Sequence, residues 1–170
     1  MTELTFTQAT GADAHLLAAI LTEAAGFKIS HQDTAWGTEP YSDKEALQLI
    51  KDCPTYIVHQ NGKIVGTVAL GWQDERDWGQ QLPNAGYIHR LAIKDGFHGQ
   101  GIGEQIIDWA VKEVIHNNRQ LLRLCCDVNN TQLCAYYEKQ DFVQVGTKEP
   151  EENGYTAALY ERRLSAEGSQ

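Results

Sequence analysis

Cysteine is scarce and unpatterned: Cys53, Cys125, Cys126 and Cys134 are the four in 170 residues, and no two stand in a Cys-x-x-Cys spacing. That removes the usual zinc-ribbon and dithiol signatures and favours buried free thiols; no metal is expected. Basic residues are also in short supply, fourteen against twenty-three acidic ones, for a formal net charge of −9. The field of such a molecule repels phosphate backbones and anionic lipid surfaces, so no nucleic acid and no membrane is expected among its partners. No apolar run approaches the ~18 residues that cross a bilayer. The opening Met1-Thr2-Glu3-Leu4-Thr5 has no basic flank leading into an apolar signal core. A cytoplasmic, reduced protein is the expectation. Internal repeats and low-complexity stretches are missing too, and the length suits a single domain, set at residues 1–164 with 165–170 as a frayed tail.

What is present is a clear alternation of hydrophobic periods. Residues 3 to 8 alternate as a strand and meet Thr10 and Asp13, which suit the cap of a first helix. That helix carries Leu16, Leu17, Ile20, Leu21 and Ala24 on one face and is expected to stop near Gly26. Ser42-Asp43-Lys44-Glu45 reads as a capping box for a second helix that ends before Pro54. Strands at 55–60 and 63–72 are joined by Asn61-Gly62, the pair best suited to a type I′ turn. A polar loop over 73–85 precedes a strand from Ala85 to Ile93. From Ile102, apolar residues recur at three and four positions to Ile115, the mark of a long amphipathic helix. A strand at 121–128, a helix at 130–139 and closing strands at 142–145 and 155–161 complete the order β-α-α-β-β-β-α-β-α-β-β. Three consecutive strands before the long helix argue for an α/β fold with a mixed sheet, because only the strand-helix-strand crossovers require parallel partners.

Chemistry is concentrated in two segments. Leu91-Ala92-Ile93-Lys94-Asp95-Gly96-Phe97-His98-Gly99-Gln100-Gly101-Ile102-Gly103 runs from a strand through a glycine-rich loop into a helix start. Such a loop can aim several backbone N–H groups and the positive helix end at a phosphate. No Lys-Ser or Lys-Thr follows Gly103, and Gly-Gln-Gly-Ile-Gly is not G-x-G-x-x-G, so neither a Walker A loop nor a dinucleotide fingerprint fits. The stretch resembles the pyrophosphate motif Q/R-x-x-G-x-G/A of the GNAT acyltransferase superfamily, with Gly101 and Gly103 as its small residues and His98 where Arg or Gln is usual. The second segment, Asn130 to Phe142, is similar to that family's N-x-x-A-x-x-x-Y-x-x-x-G-F, with Leu133 in place of alanine and Asp141 in place of glycine.

The resemblance implies a central mixed sheet flanked by helices and acetyl-CoA as cosubstrate. By it, the backbone of Leu91, Ala92 and Ile93 holds the pantetheine arm and residues His98, Gly99, Gln100, Gly101, Ile102 and Gly103 cradle the pyrophosphate. Asn130 touches the pantetheine, and Tyr137 protonates the departing thiolate, with Tyr136 as competitor. Only a neutral amine attacks a thioester, so a base is needed, and His89 is the best placed. Strand alternation puts it on a face with Tyr87 and Leu91 in a run similar to H-x-H-x-L-A-V of arylalkylamine N-acetyltransferases. Glu23, Glu39 and Asp74 are weaker alternatives. Trp36, Tyr41, Trp72 and Trp78, with Tyr87, lie in or beside stretches that flank the acceptor in this family and are candidates to line its pocket. Plain structural roles stay open: an N-cap for Asn130, core packing for Tyr137 and the other aromatics, a sheet hydrogen bond for His89. The amine acceptor, small molecule or peptide, is not identified; a homodimer is left open, and so is a non-catalytic acyl-CoA sensor.

Overall fold

In the computed structural model, residues 2–150 and 154–165 are described. The chain runs β1 (Leu4–Gln8), a 3-10 turn at Gly11–Asp13, α1 (Ala14–Ser30), α2 (Asp43–Asp52), β2 (Thr55–Gln60) and β3 (Lys63–Gly71). It continues through α3 (Glu75–Trp78), β4 (Ala85–Ile93), α4 (Ile102–His116), β5 (Leu121–Asp127), α5 (Thr131–Glu138), β6 (Val143–Lys148) and β7 (Ala157–Arg163). The strands form one mixed sheet in the order β1-β2-β3-β4-β5-β7-β6. β4 and β5 are parallel, while β1–β2, β2–β3, β5–β7 and β6–β7 are antiparallel. Two compact units divide the chain, Met1–Leu70 with His89–Asp108, and Gly71–Ile88 with Trp109–Gln170. Among the described residues no helix is long and apolar enough to cross a membrane.

In the first unit the β2–β3 hairpin turns on Asn61 and Gly62 at φ 51° and 75°, the positive values a type I′ turn requires. α1 and α2 meet through Ala14, Leu17, Ala18, Leu21 and Ala46, and Ile20 and Ala24 pack with Ile57 and Ala92. The α2 cap is reciprocal: the Ser42 hydroxyl accepts from the Glu45 N–H at 3.2 Å and the Glu45 carboxylate accepts from the Ser42 N–H at 2.8 Å. Such a cap stabilises by about 1 kcal/mol. α1 does not stop near Gly26 but continues to Ser30. A glycine inside a helix costs only ~1 kcal/mol, and a stronger stop lies further on. Gln32 adopts φ 63°, its N–H donates to Ile29 O at 2.9 Å, and the Asp33 N–H donates to Lys28 O at 2.9 Å. This is a Schellman close with glutamine in the left-handed place, locked by the Lys28–Asp33 ion pair at 2.7 Å. Gly66 is required where β3 passes β4, since a Cβ there would lie 2.3 Å from Ala92 O.

In the second unit β7 lies between β5 and β6, pairing with β5 from Leu121↔Arg163 to Asp127↔Ala157. Among the described residues, the β4-α4-β5 crossover joins adjacent parallel strands; after α5 the chain goes to the sheet edge as β6 and returns as β7. The 73–85 stretch is not wholly a loop. Asp74 accepts from the Asp77 N–H at 3.1 Å and starts the short α3. α5 ends as α1 does, with Asp141 at φ 64° and the Phe142 N–H donating to Tyr137 O at 3.2 Å. The closing strands start and end later than the patterning implies, at 143–148 and 157–163. All four cysteines are free thiols. Residues 166–170 of the expected tail lie outside the described residues.

Candidate functional site

In the first unit, β4 passes Leu91, Ala92 and Ile93 into a loop whose path depends on three glycines at positive φ: Gly96 (87°), Gly99 (74°) and Gly101 (74°). A Cβ added at Gly99 or Gly101 would meet nothing within 4 Å, so bare backbone faces open space there. Gly101 O accepts the α4 bond from the Gln105 N–H at 3.2 Å, and Ile102 and Gly103 are buried in the helix's first turn. The first N–H groups of α4 have no intrahelical acceptor, and the helix dipole adds partial positive charge. The Gln100 side chain braces the loop through Gly96 O at 3.0 Å. His98 is turned to other work: its ring stacks on Phe27 at 4.1 Å and lies 3.6 Å from the Asp95 carboxylate. Any hold on a phosphate here falls to backbone amides.

Glu23 is clamped to the loop's base, accepting from the Asp95 N–H at 2.5 Å and from Lys94 Nζ at 3.1 Å. Burial alone would raise its pKa, but these donors outweigh it and hold the carboxyl below its usual range. The clamp's stabilisation is thus present above the ordinary carboxylate pKa and is lost as pH falls through the depressed one. A carboxylate so engaged is a poor proton acceptor.

The strand alternation expected over residues 87–92 is broken by Arg90, which takes φ 49°. His89 and Leu91 therefore do not share a face by simple period-two counting. A left-handed non-glycine residue costs ~1–2 kcal/mol, and the surroundings fix this one. The Arg90 guanidinium lies 5.3 Å from the Trp36 ring and 5.7 Å from the Tyr41 ring. Tyr41 donates from its hydroxyl to Trp36 O at 3.2 Å and from its N–H to Thr22 Oγ1 at 2.9 Å. Burial raises the Tyr41 pKa and Arg90 opposes the rise, so the phenol stays protonated. His89 itself is half-buried. The one sequence signal at this position is a charge inside the otherwise mostly uncharged run Tyr87-Ile88-His89-Arg90-Leu91.

In the second unit Asn130 caps α5, its Oδ1 accepting from the Leu133 N–H at 3.1 Å. Tyr137 is buried, with ring centroids of Tyr136, Phe142 and Tyr160 at 5.4, 5.8 and 6.3 Å; Tyr136 is only half-buried. Burial first, and the neighbouring thiols after it, push the Tyr137 pKa up, so the phenol carries its proton throughout the neutral range. Cys125 is likewise pushed up to about 12 by burial and by Asp77, and is inert as a nucleophile.

Trp72, Trp78 and Tyr87 also belong to the second unit, where arginines occupy their faces. Arg119 lies 5.1 Å from the Trp72 ring and donates to Trp72 O at 2.7 Å and Ala85 O at 2.8 Å. Arg123 lies 4.8 Å from the Trp78 ring and donates to the Tyr87 hydroxyl and the Glu161 carboxylate, both at 2.8 Å. Trp72 and Tyr87 line a cavity of about 370 Å³ with Asp74, Glu75, Leu82 and Arg119; Trp36 and Tyr41 form a separate group around Arg90 in the first unit.

The sequence profile of the Acetyltransferase (GNAT) family matches residues 17–142. The chain belongs to the GNAT acetyltransferase family. Among curated relatives of this GNAT protein, the uncharacterized N-acetyltransferase YesJ of Bacillus subtilis (strain 168) is 30% identical over 81 residues, which are 48% of this chain and 42% of that protein. The chain thus spans less than half the length of that relative. Among solved structures, an acetyltransferase from Thermus thermophilus superposes with a TM-score of 0.75 at 17% identity, covering 96% of this chain and 100% of that one. The protein yncA of Salmonella typhimurium, solved with its cofactor acetyl-CoA, gives 0.68 at 13% identity over 99% of this chain and 98% of that one. At these identities the solved structures speak for the GNAT fold, the mixed sheet with flanking helices described above.

Proposed function

We propose that this GNAT protein is an N-acetyltransferase that moves the acetyl group of acetyl-CoA to a primary amine by direct attack, acting in the cytoplasm. The observation that carries the reading is the loop before α4. Gly99 and Gly101 combine positive φ with open space over each Cα, at the start of a fifteen-residue helix whose first N–H groups point out of it. That is a cradle suited to a pyrophosphate, and side chains at these glycines would obstruct it. The β4–β5 register ends at Tyr87↔Arg123 while β4 runs on to Ile93, so Leu91, Ala92 and Ile93 can offer backbone groups to the pantetheine amides.

His89, directly or through water, takes a proton from the ammonium form of the acceptor. The freed amine forms a C–N bond to the acetyl carbon as the C–S bond breaks; Tyr137 gives its proton to the departing sulfur, and the second proton shed by the acylated nitrogen, passed through water, restores the phenol. Burial keeps the Tyr137 phenol protonated, so a proton is present beside the proposed leaving group although the same burial makes the phenol a weaker acid. Direct transfer needs no acyl carrier at Cys125, Cys126 or Cys134, and burial keeps the Cys125 thiol protonated.

The test is release of CoA thiol from acetyl-CoA across amine classes: amino acids, polyamines, arylalkylamines, aminoglycosides and peptide N-termini. Turnover with one class is the expected result. Tight acetyl-CoA binding with no release by any class, and unaltered affinity in Tyr137→Phe, would replace the transferase with a non-catalytic acyl-CoA sensor.

A further inference from the structure

Three arginines stack on aromatic rings, and they differ in one respect. Arg119 donates to two backbone carbonyls, and Arg123 to a carboxylate and a phenol. Arg90 is held against Trp36 and Tyr41, yet among the described residues its guanidinium has no hydrogen-bond or ion-pair partner. Lys28, which lies 5.2 Å from the same Trp36 ring, is neutralised by Asp33 at 2.7 Å. Arg90 is thus an unmatched, half-buried cation in a chain of net charge −9, and it stands on a backbone conformation rare outside glycine. Strain of this kind persists where the surroundings over-determine it, which is characteristic of binding sites.

We propose that Arg90 is the anchor for a carboxylate on the acceptor, so that the amine acetylated by this protein belongs to an amino acid or another small aminocarboxylate. The proposal rests on the acetyl-transfer reading above. A guanidinium presents two parallel N–H donors that match a carboxylate, and its rings fix their direction before the ligand arrives, which lowers the ordering cost of binding. Arg90 follows His89 directly, ~3.8 Å away along the Cα trace. The positive φ removes the alternation that would send successive side chains to opposite faces of the strand. An acceptor that carries both an amine and a carboxylate would engage the proposed base and anchor together. Amines without a carboxylate would leave the guanidinium unpaired as water is excluded.

The experiment compares kcat/KM for each of a set of L-amino acids with its carboxamide and its decarboxylated amine, in wild type, Arg90→Lys and Arg90→Met. The amide supplies more neutral amine at a given pH, so intrinsic reactivity opposes the expected result. Wild type should favour the carboxylate member by about tenfold or more, chiefly through KM, as a charge-assisted hydrogen-bonded pair provides. Arg90→Met should abolish that preference and Arg90→Lys retain part of it, with CoA affinity unchanged in both. Equal or better use of the carboxamides or decarboxylated amines by wild type overturns the proposal whether or not the variants fold. A loss of CoA affinity in Arg90→Met also overturns it, by assigning the guanidinium to a cosubstrate phosphate. If no amine releases thiol, the transfer reading fails, and calorimetry of the CoA-loaded protein with the N-acetyl derivatives of the same amino acids decides the anchor. Saturable heat abolished by Arg90→Met upholds it, and no heat with wild type overturns it.

Discussion

The loop from Gly96 to Gly103 and the surroundings of Tyr137 are built on opposite principles. The first is a backbone surface: three glycines at positive φ, open space above each of them, and a helix end whose amides look outward. The second is a packed nest in which three aromatic rings surround one buried phenol. A backbone surface tolerates side-chain change anywhere except where a Cβ would intrude, and this explains why His98 can be spent on Phe27 without spoiling the cradle. A packed nest acts through one atom, so a substitution that keeps the ring removes the chemistry and leaves the packing. Binding and turnover should therefore respond to separate mutations.

The largest expected effect isolates the nest. Tyr137→Phe should lower kcat by roughly 10²-fold or more with acetyl-CoA affinity nearly unchanged, because the proton is needed only as the thiolate departs; single-turnover rates beside calorimetry separate the two. An equal loss in both would merge the regions that the comparison divides, and a deficit in Tyr136→Phe alone would move the acid by one residue. Gly101→Val should do the reverse, weakening CoA by about tenfold or more because a branched residue at φ 74° carries ~1–2 kcal/mol of strain and covers the cradle. The check is CoA titration with a native circular dichroism spectrum.

A smaller effect tests the strand that precedes both in sequence. His89→Ala should reduce kcat/KM by about tenfold near pH 6, where amines are protonated, and the deficit should shrink towards pH 9 as neutral amine is supplied by solution. A pH profile parallel to wild type at full activity would give the base to water. Smallest of all is Asp141→Gly, which relieves the left-handed residue behind Tyr137 and should stabilise by about 0.5 kcal/mol, read as a denaturant midpoint, without altering kcat.

Local signals carried most of the fold. The hairpin at Asn61-Gly62, the Ser42 capping box and the α4 stripe each depend on residues within one turn or strand, and all stand where the patterning puts them. What escaped depends on partners distant in the chain or on conformations without a compositional mark. α1 outran Gly26 because its stop is set by Gln32 with the Lys28–Asp33 pair, none of it a glycine. β7 enters between β5 and β6, a choice made by pairing rather than by its own alternation. The two motif segments were legible because glycine and a tyrosine at fixed spacing leave a trace. Arg90 left almost none: its φ cannot be read from arginine, and its aromatic cage comes from Trp36 and Tyr41, some fifty residues earlier in the sequence.

The insertion of β7 also sets a timetable for synthesis. A nascent chain that has emerged through Lys148 holds β5 and β6 but lacks the strand that pairs with both. At ribosomal speeds the chain from Asp127 to Arg163 takes on the order of a few seconds to appear. Until β7 follows, the side of β5 that pairs with it has no partner strand. The second unit can therefore reach its final pairing only after translation has passed Arg163, and a chain that stops before that point leaves β5 and β6 without the strand that pairs with both.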